Sequence, residues 1–137
     1  MISFSSKLKG FNLENSSQFQ TWLKNVIKLE GKKTGDINYL FMSDDDLLVI
    51  NRQYLQHDFF TDIVTFPLSE SNEIISGEIY VSVDRIKDNA EQNGVKFENE
   101  LKRVIVHGVL HLLGYDDHTD DEKTMMRQKE DYYINLF

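Results

Sequence analysis

The sequence predicts an α+β fold in which a small mixed β-sheet is packed by about five helices. Strand-like segments and segments with helical periodicity alternate irregularly along the chain. No run of strand–helix–strand units with glycine-rich turns accompanies them, which argues against a nucleotide-binding fold. The length of 137 residues suits one domain, and 40% hydrophobic residues with nine Phe and six Tyr indicate a folded globule.

The first half of the chain predicts two strands and two helices. Residues 2–5 predict a short strand, and SSQFQTWLKNVIKLEGK (16–32) predicts a core helix with a serine cap and apolar residues at helical spacing. DINYLFM (36–42) alternates loosely and predicts a strand. Ser43 caps the next helix, DDDLLVINRQYL (44–55), whose early acidic residues suit the positive end of the helix dipole.

Two further strands and a third helix are predicted next. TDIVTFPL (61–68) is rich in β-branched and aromatic residues, and GEIYVSVD (77–84) follows after the polar turn SESNEIIS (69–76). A helix is expected over Val83–Asn93, and it ends at Gly94.

Two helices complete the predicted fold. The fourth runs from about Glu98 to Leu113, and Gly114 fits the left-handed residue that ends helices. Thr119 and Glu122 form a T-x-x-E capping box for a final helix that continues through 123–136.

Composition limits the classes of site and partner. Because the chain has no cysteine, a metal ion must be held by His, Asp or Glu. A net charge of −8 ordinarily argues against a nucleic-acid partner, unless the dispersed Lys and Arg residues share one face. No stretch approaches the ~20 apolar residues that cross a bilayer, so we expect a soluble, cytoplasmic protein with no membrane partner.

Three of the four histidines lie in HGVLHLLGYDDHTDDE (107–122). Residues four apart share a helix face, so His107 and His111 can point two imidazoles at one ion. Gly114 then allows the chain to turn back toward them. The candidates for a third ligand follow that turn: Asp116, Asp117 and His118. This pattern is typical of a three-ligand catalytic zinc site with a fourth position for water.

The alternative is a core helix that carries two histidines by chance. In that case no transition metal would bind, and replacing His107 would affect only folding. If the site is catalytic, Gly108 disfavours a zinc peptidase of the H-E-x-x-H type, which has a glutamate directly after the first histidine. Another hydrolytic reaction on metal-activated water remains open.

The histidine segment closely resembles the H-G-x-L-H-L-x-G-Y-D-H signature of the YbeY family, the bacterial single-strand endoribonucleases and rRNA maturation factors. INRQYLQHDFFTDIVTFP (50–67) resembles that family's L-N-x-x-Y-R-x-x-D-x-P-T-D-V-L-S-F-P stretch, and SGEIYVSVDRI (76–86) its G-D-I-x-I-s strand. The resemblance spans roughly residues 37–130. It implies a single metallohydrolase domain over residues 1–137, with a zinc ion on three ligands and cleavage of single-stranded RNA. It also implies a role in 16S rRNA 3′-end maturation and ribosome quality control.

One departure from the family pattern concerns the third ligand. The pattern has its third histidine at the position of Asp117, and His118 follows one residue later. A carboxylate is an acceptable zinc ligand. We therefore expect His107, His111 and Asp117 to hold one zinc ion per chain, with His118 as the alternative third ligand. If His118 is free of the metal, it can serve as general acid or base.

A second departure concerns the substrate phosphate. Leu55 stands where the family pattern has an arginine, a natural partner for a phosphate. Arg52, one helical turn earlier, and Arg103, four residues before His107, are candidate substitutes. Asp62 belongs to a T-D pair that matches the family and is expected to line the cleft, the alternative being ordinary turn chemistry.

Together with this resemblance, the sequence predicts a zinc-dependent endoribonuclease; the partners that the resemblance implies are single-stranded RNA and the rRNA or ribosomal small subunit, not DNA. Two alternatives remain open. One is a metal-dependent hydrolase of another bond, such as a peptide or small phosphoester, and the other is a ribosome assembly factor with a structural zinc. A site of two histidines and a carboxylate also suits iron, nickel or manganese.

Overall fold

The computed structural model describes residues 1–69 and 71–137. Four strands and five helices occur in these residues, which confirms the predicted α+β class. The strands are β1 (Ile2–Ser6), β2 (Lys33–Met42), β3 (Ile63–Pro67) and β4 (Ile74–Ser82). The helices are α1 (Ser16–Leu29), α2 (Asp44–Leu55), α3 (Val83–Asn93), α4 (Phe97–Leu112) and α5 (Asp120–Ile134).

The sheet is mixed, as predicted, with the strand order β1-β2-β4-β3. β1 pairs parallel with β2, and β2 pairs parallel with β4. β3 pairs antiparallel with β4 at the edge, where Ile63 lies opposite Val81. Because parallel neighbours require a crossover, α1 connects β1 to β2, while α2 and β3 lie on the path from β2 to β4. Because β3 is the last strand in the order, it forms one edge of the sheet.

Two local predictions were wrong. The turn predicted over 69–76 is shorter, because β4 begins at Ile74, where pairing with β2 already satisfies its backbone. Residue 70 of that turn lies outside the described residues. α1 has no serine cap: Asn15, with a φ of 59°, precedes the helix, and its carbonyl accepts the first backbone bonds. Asparagine tolerates this left-handed conformation better than most residues.

The predicted ends of three helices are confirmed. Gly94 ends α3 with a φ of 64°, and Gly114 follows α4 with a φ of 104°. The capping box of Thr119 and Glu122 is present at the start of α5. Among the helices described, none is both long enough and apolar enough to cross a membrane.

The main core lies between the sheet and the helices α1, α4 and α5. α4 has more buried residues than any other helix described, and Gly108 lets it approach the sheet: a Cβ atom there would lie 2.9 Å from Cδ1 of Ile63. The Nε1–H of Trp22 donates to the carbonyl of Tyr133 at 2.7 Å and joins α1 to α5. A smaller cluster packs α2 against the sheet around Leu47. The main core and the close approach at Gly108 hold α4, the helix that carries both histidines of the predicted metal site.

Candidate metal centre

One turn of α4 and the loop after it bring three potential metal ligands together. His107 and His111 lie on the same face of the helix, with ring centroids 4.4 Å apart. Oδ2 of Asp117 returns to within 3.3 Å of Nε2 of His107 and 3.5 Å of Nε2 of His111. One donor atom from each residue lies within 4.8 Å of the other two, so this group can hold a metal ion.

The spacing of these atoms fits a small divalent cation. Two ligands at ~2.0–2.1 Å from zinc in tetrahedral geometry are about 3.3 Å apart, close to both measured separations from Asp117. Two imidazole nitrogens and one carboxylate oxygen form a known set for a three-ligand zinc site. The residues present therefore fit the ion that the sequence predicts, although the same set also suits iron, nickel or manganese.

Each histidine is oriented through its other ring nitrogen. Nδ1 of His107 lies 2.6 Å from Oε2 of Glu130, and Nδ1 of His111 lies 2.9 Å from the carbonyl oxygen of Tyr115. Partners of this kind fix the ring and the tautomer of metal-binding histidines. With both Nδ1 atoms engaged, both Nε2 atoms face Asp117 and are available to a cation.

Glu130 is a residue that the sequence reasoning missed. It lies on α5, and its side chain is only 6% exposed. Oε1 accepts from Nη1 of Arg103 at 2.8 Å, and Nη2 of the same arginine bonds Oδ1 of Asp131 at 2.7 Å. Arg103, expected to contact a phosphate, thus has both terminal nitrogens on carboxylates. Its position and charge stabilise Glu130 as the partner of His107.

Glu30 supports the loop from the other side and was also missed. The Tyr115 hydroxyl donates to Oε1 of Glu30 at 2.5 Å, and the Tyr133 hydroxyl donates to the same carboxylate. Nζ of Lys129 lies 3.1 Å from Oε2. Because Tyr115 also supplies the carbonyl that holds His111, this cluster anchors the segment that leads to the third ligand.

The two histidines differ in electrostatics. Burial by itself lowers the pKa of His107, but the hydrogen bond and charge of Glu130 outweigh burial and raise it. Burial, together with the charge of His107, lowers the pKa of His111. A lowered pKa keeps the His111 imidazole neutral near physiological pH, which is the form that binds a metal.

Asp62 borders this group. Ile63, the next residue, packs against Gly108 beside His107. Burial raises the pKa of Asp62, while the positive charge of His107 lowers it in part. The Asp62 carboxylate accepts from Nδ2 of Asn89 at 3.4 Å.

The other two predicted site residues lie outside the group of ligands. Arg52 is exposed on α2, where its Nε–H donates to the Asp58 carboxylate. His118 is exposed, and within the described part of the chain the potential ligand set contains Asp117 instead.

A family model described as Endoribonuclease YbeY matches residues 2–137. The chain belongs to the YbeY family. A relative named Endoribonuclease YbeY from Flavobacterium psychrophilum is 45% identical over 137 residues, which are 100% of this chain and 96% of the relative. One with the same name from Flavobacterium johnsoniae is 48% identical, over 100% of this chain and 97% of its own.

A solved structure is also similar to this chain. The solution structure of TM1509 from Thermotoga maritima matches with a TM-score of 0.65 and 32% identity. The match covers 98% of this chain and 87% of that chain. The resemblance to the YbeY family that the histidine segment indicated is therefore confirmed over nearly the whole chain, not only over residues 37–130.

Proposed function

We propose that this YbeY-family chain is a zinc-dependent endoribonuclease that cleaves single-stranded RNA. We further propose that it acts in the cytoplasm on the rRNA of the ribosomal small subunit, in 16S rRNA 3′-end maturation and ribosome quality control. The observation that carries the proposal is the group of three donor atoms within 4.8 Å of one another, with both imidazoles oriented by other partners. The name shared by the relatives supports RNA as the substrate.

His107, His111 and Asp117 would hold one zinc ion. When bound, zinc supplies a Lewis acid for the phosphoryl oxygen and lowers the pKa of water. Glu130 and the Tyr115 carbonyl hold the imidazoles in place. These contacts limit the movement of both imidazoles, and a metal-dependent reaction requires ligands that are held in a fixed orientation.

Residues around the metal group would handle the substrate. His118, exposed next to Asp117, is proposed as the general acid or base that exchanges a proton with the attacking or leaving oxygen. Asp62 would line the cleft beside His107. For the phosphate we favour Arg52, because its Nε pairs with Asp58 while neither Nη atom has a carboxylate partner among residues 1–69 and 71–137.

The geometry favours a catalytic ion over a structural one. The side chains of His107, His111 and Asp117 are 20%, 21% and 35% exposed, at the margin of the main core. That core is continuous through α1, α4, α5 and the sheet without them. An ion that fixes the fold has a closed, fully protein-coordinated site, whereas a catalytic ion keeps an open position.

The test is metal analysis of the parent and of His111→Ala, with both then assayed on a single-stranded RNA and on a duplex of the same sequence. We expect one zinc ion per chain in the parent and cleavage of the single strand. The variant should lose both and keep the circular dichroism spectrum of a folded protein. Equal metal in both proteins contradicts the site, and an unfolded variant favours the structural-zinc alternative. Cleavage of peptides or small phosphoesters in place of RNA favours the other hydrolase.

Separate alanine variants identify the third ligand. Asp117→Ala should lose zinc, whereas His118→Ala should keep zinc and lose cleavage. Full metal in Asp117→Ala together with metal loss in His118→Ala would assign the ligand to His118.

A further inference from the structure

Two exposed phenylalanines lie in the loop between α2 and β3. Phe59 is 56% exposed and Phe60 is 47% exposed, while every other phenylalanine of the chain is buried or partly buried. Large apolar side chains exposed side by side mark a contact surface more often than isolated ones do. The ring of His57 stacks on that of Phe59, with centroids 5.0 Å apart and planes 20° apart. We call the side chains of His57, Phe59 and Phe60 the aromatic platform.

The backbone of this loop is fixed although its aromatic rings are not buried. Nδ2 of Asn51, a residue only 1% exposed, donates to the carbonyl of Phe59 at 2.9 Å. The backbone N–H of His57 donates to the carbonyl of Asn51 at 3.1 Å, and Arg52 pairs with Asp58. The fold therefore holds the rings outward, which lowers the entropy lost when a ligand stacks on them.

The aromatic platform is connected to the metal group through the start of β3. Phe60 lies three residues before Ile63, and Cδ1 of Ile63 would be 2.9 Å from a Cβ atom at Gly108, the residue that follows His107 on α4. The guanidinium carbon of Arg85 lies 5.3 Å from the centroid of Phe60, on the side of α3. A polymer bound at the metal group could therefore extend onto these rings.

The charge distribution favours stacking over phosphate pairing as a means of holding RNA. The chain carries a net charge of −8, and Arg85 and Arg103 each pair with two carboxylates. Proteins that bind single strands combine cationic contacts with aromatic side chains, which any unpaired base can stack on. Where cationic contacts are few, stacking must contribute more of the affinity.

We propose that the aromatic platform binds an unpaired base of the RNA strand held at the metal group. This inference rests on the proposed endoribonuclease function and adds a subsite to it. Bases in a duplex are already stacked, so a platform of this kind selects single strands. The subsite discriminates by the availability of a base face and not by the identity of the base.

The test compares the parent with Phe59→Ala/Phe60→Ala and with Phe59→Tyr/Phe60→Tyr, which keeps the rings. Tyr132→Ala removes an aromatic residue of similar exposure, 57%, on α5 and serves as the matched control. Binding is measured by fluorescence anisotropy on a short single-stranded RNA and on a base-free ribose-phosphate oligomer of equal length. Zinc content and circular dichroism confirm that each variant is loaded and folded.

We expect the alanine pair to bind the RNA about 10-fold or more weakly, with the tyrosine pair and Tyr132→Ala close to the parent. The base-free oligomer should bind the parent and the alanine pair equally. The dependence of RNA affinity on salt should keep the same slope in both, since no phosphate contact is removed. Parent-like RNA affinity in a folded alanine pair that still cleaves overturns the platform alone and assigns its surface to another occupant, such as an apolar protein face. A parent that neither binds nor cleaves RNA overturns the platform and the proposed function together.

Discussion

Two carboxylates support the two histidines of the candidate metal group, and they act at different distances. Glu130 contacts the ring of His107 directly, whereas Glu30 reaches His111 only through Tyr115. The Glu130 side chain is 6% exposed with a guanidinium partner, and the Glu30 side chain is 12% exposed with an ammonium group and two hydroxyls as partners. The same type of residue thus sets the orientation of a ring in one place and the position of a loop in the other.

The difference separates metal affinity from stability. A hydrogen-bond partner of the ligand itself sets the basicity and orientation of the ring, so its loss directly lowers the affinity for a metal ion. Glu30 contacts Tyr115 and not the histidine ring, so its loss mainly changes the stability of the loop after α4. His111 can still bind a metal ion after a small shift of that loop. Variants at Glu130 should therefore affect zinc first, and variants at Glu30 should affect unfolding first.

The largest effect is expected for Glu130→Ala. Zinc affinity should fall about 10–100-fold, because Nδ1 of His107 loses the acceptor that orients the ring. Glu130→Gln keeps an oxygen at the same place and should recover most of the affinity. Competition with a chromophoric chelator measures both variants. Parent-like affinity in Glu130→Ala would mean that the contact does not orient the ligand.

Glu30→Gln should mainly destabilise the fold. Loss of the charged acceptor for Tyr115, Tyr133 and Lys129 should lower the free energy of unfolding by about 1–3 kcal/mol. Zinc affinity should change less than in Glu130→Ala. Tyr115→Phe removes one of these bonds and keeps the carbonyl on His111, so its loss of stability should be smaller. Urea denaturation measures the free energies, and a larger zinc effect at Glu30 than at Glu130 would reverse the comparison.

Glu30 should also make stability depend on pH. Burial alone raises its pKa, but the hydrogen bonds from Tyr115, Tyr133 and Lys129 outweigh burial and lower the pKa from its ordinary 4.5. A carboxyl with a lowered pKa stabilises the fold above its ordinary pKa, and this contribution disappears as pH falls through the lowered value. The stability difference between the parent and Glu30→Gln should therefore be full at neutral pH and shrink below pH 4.5. A difference that stays constant across this range would contradict the assignment.

Sequence periodicity sufficed for the elements and for the spacing of the histidines, because helical geometry alone places His107 above His111. Helix ends were predictable where one residue type meets one backbone requirement, as at Gly94 and Gly114. The cap of α1 was not, since Asn15 acts through its backbone conformation and makes no side-chain bond.

The supporting carboxylates were beyond sequence reasoning for a different reason. Glu130 meets His107 only because α5 packs against α4, and no local pattern encodes that contact. The spacing of Arg103 did place it on the same helix face as His107, and both contact Glu130. The sequence does not distinguish an exposed arginine from one that is paired with carboxylates. Arg103 is paired because α5 brings Glu130 and Asp131 to it.

The smallest effect on stability is expected for Arg52→Ala. Arg52 and Asp58 have side chains 56% and 75% exposed, and ion pairs of this kind contribute within about 0.5 kcal/mol. Arg103→Ala, by contrast, should lower zinc affinity because it removes the guanidinium that stabilises Glu130. If Arg52 holds a phosphate, its alanine variant should keep parent zinc affinity while the slope of RNA affinity against salt falls by about 1. Anisotropy titrations over a range of salt measure that slope. An unchanged slope with unchanged affinity would exclude Arg52 from the RNA contact and leave the aromatic platform and the metal group as the elements that hold the strand.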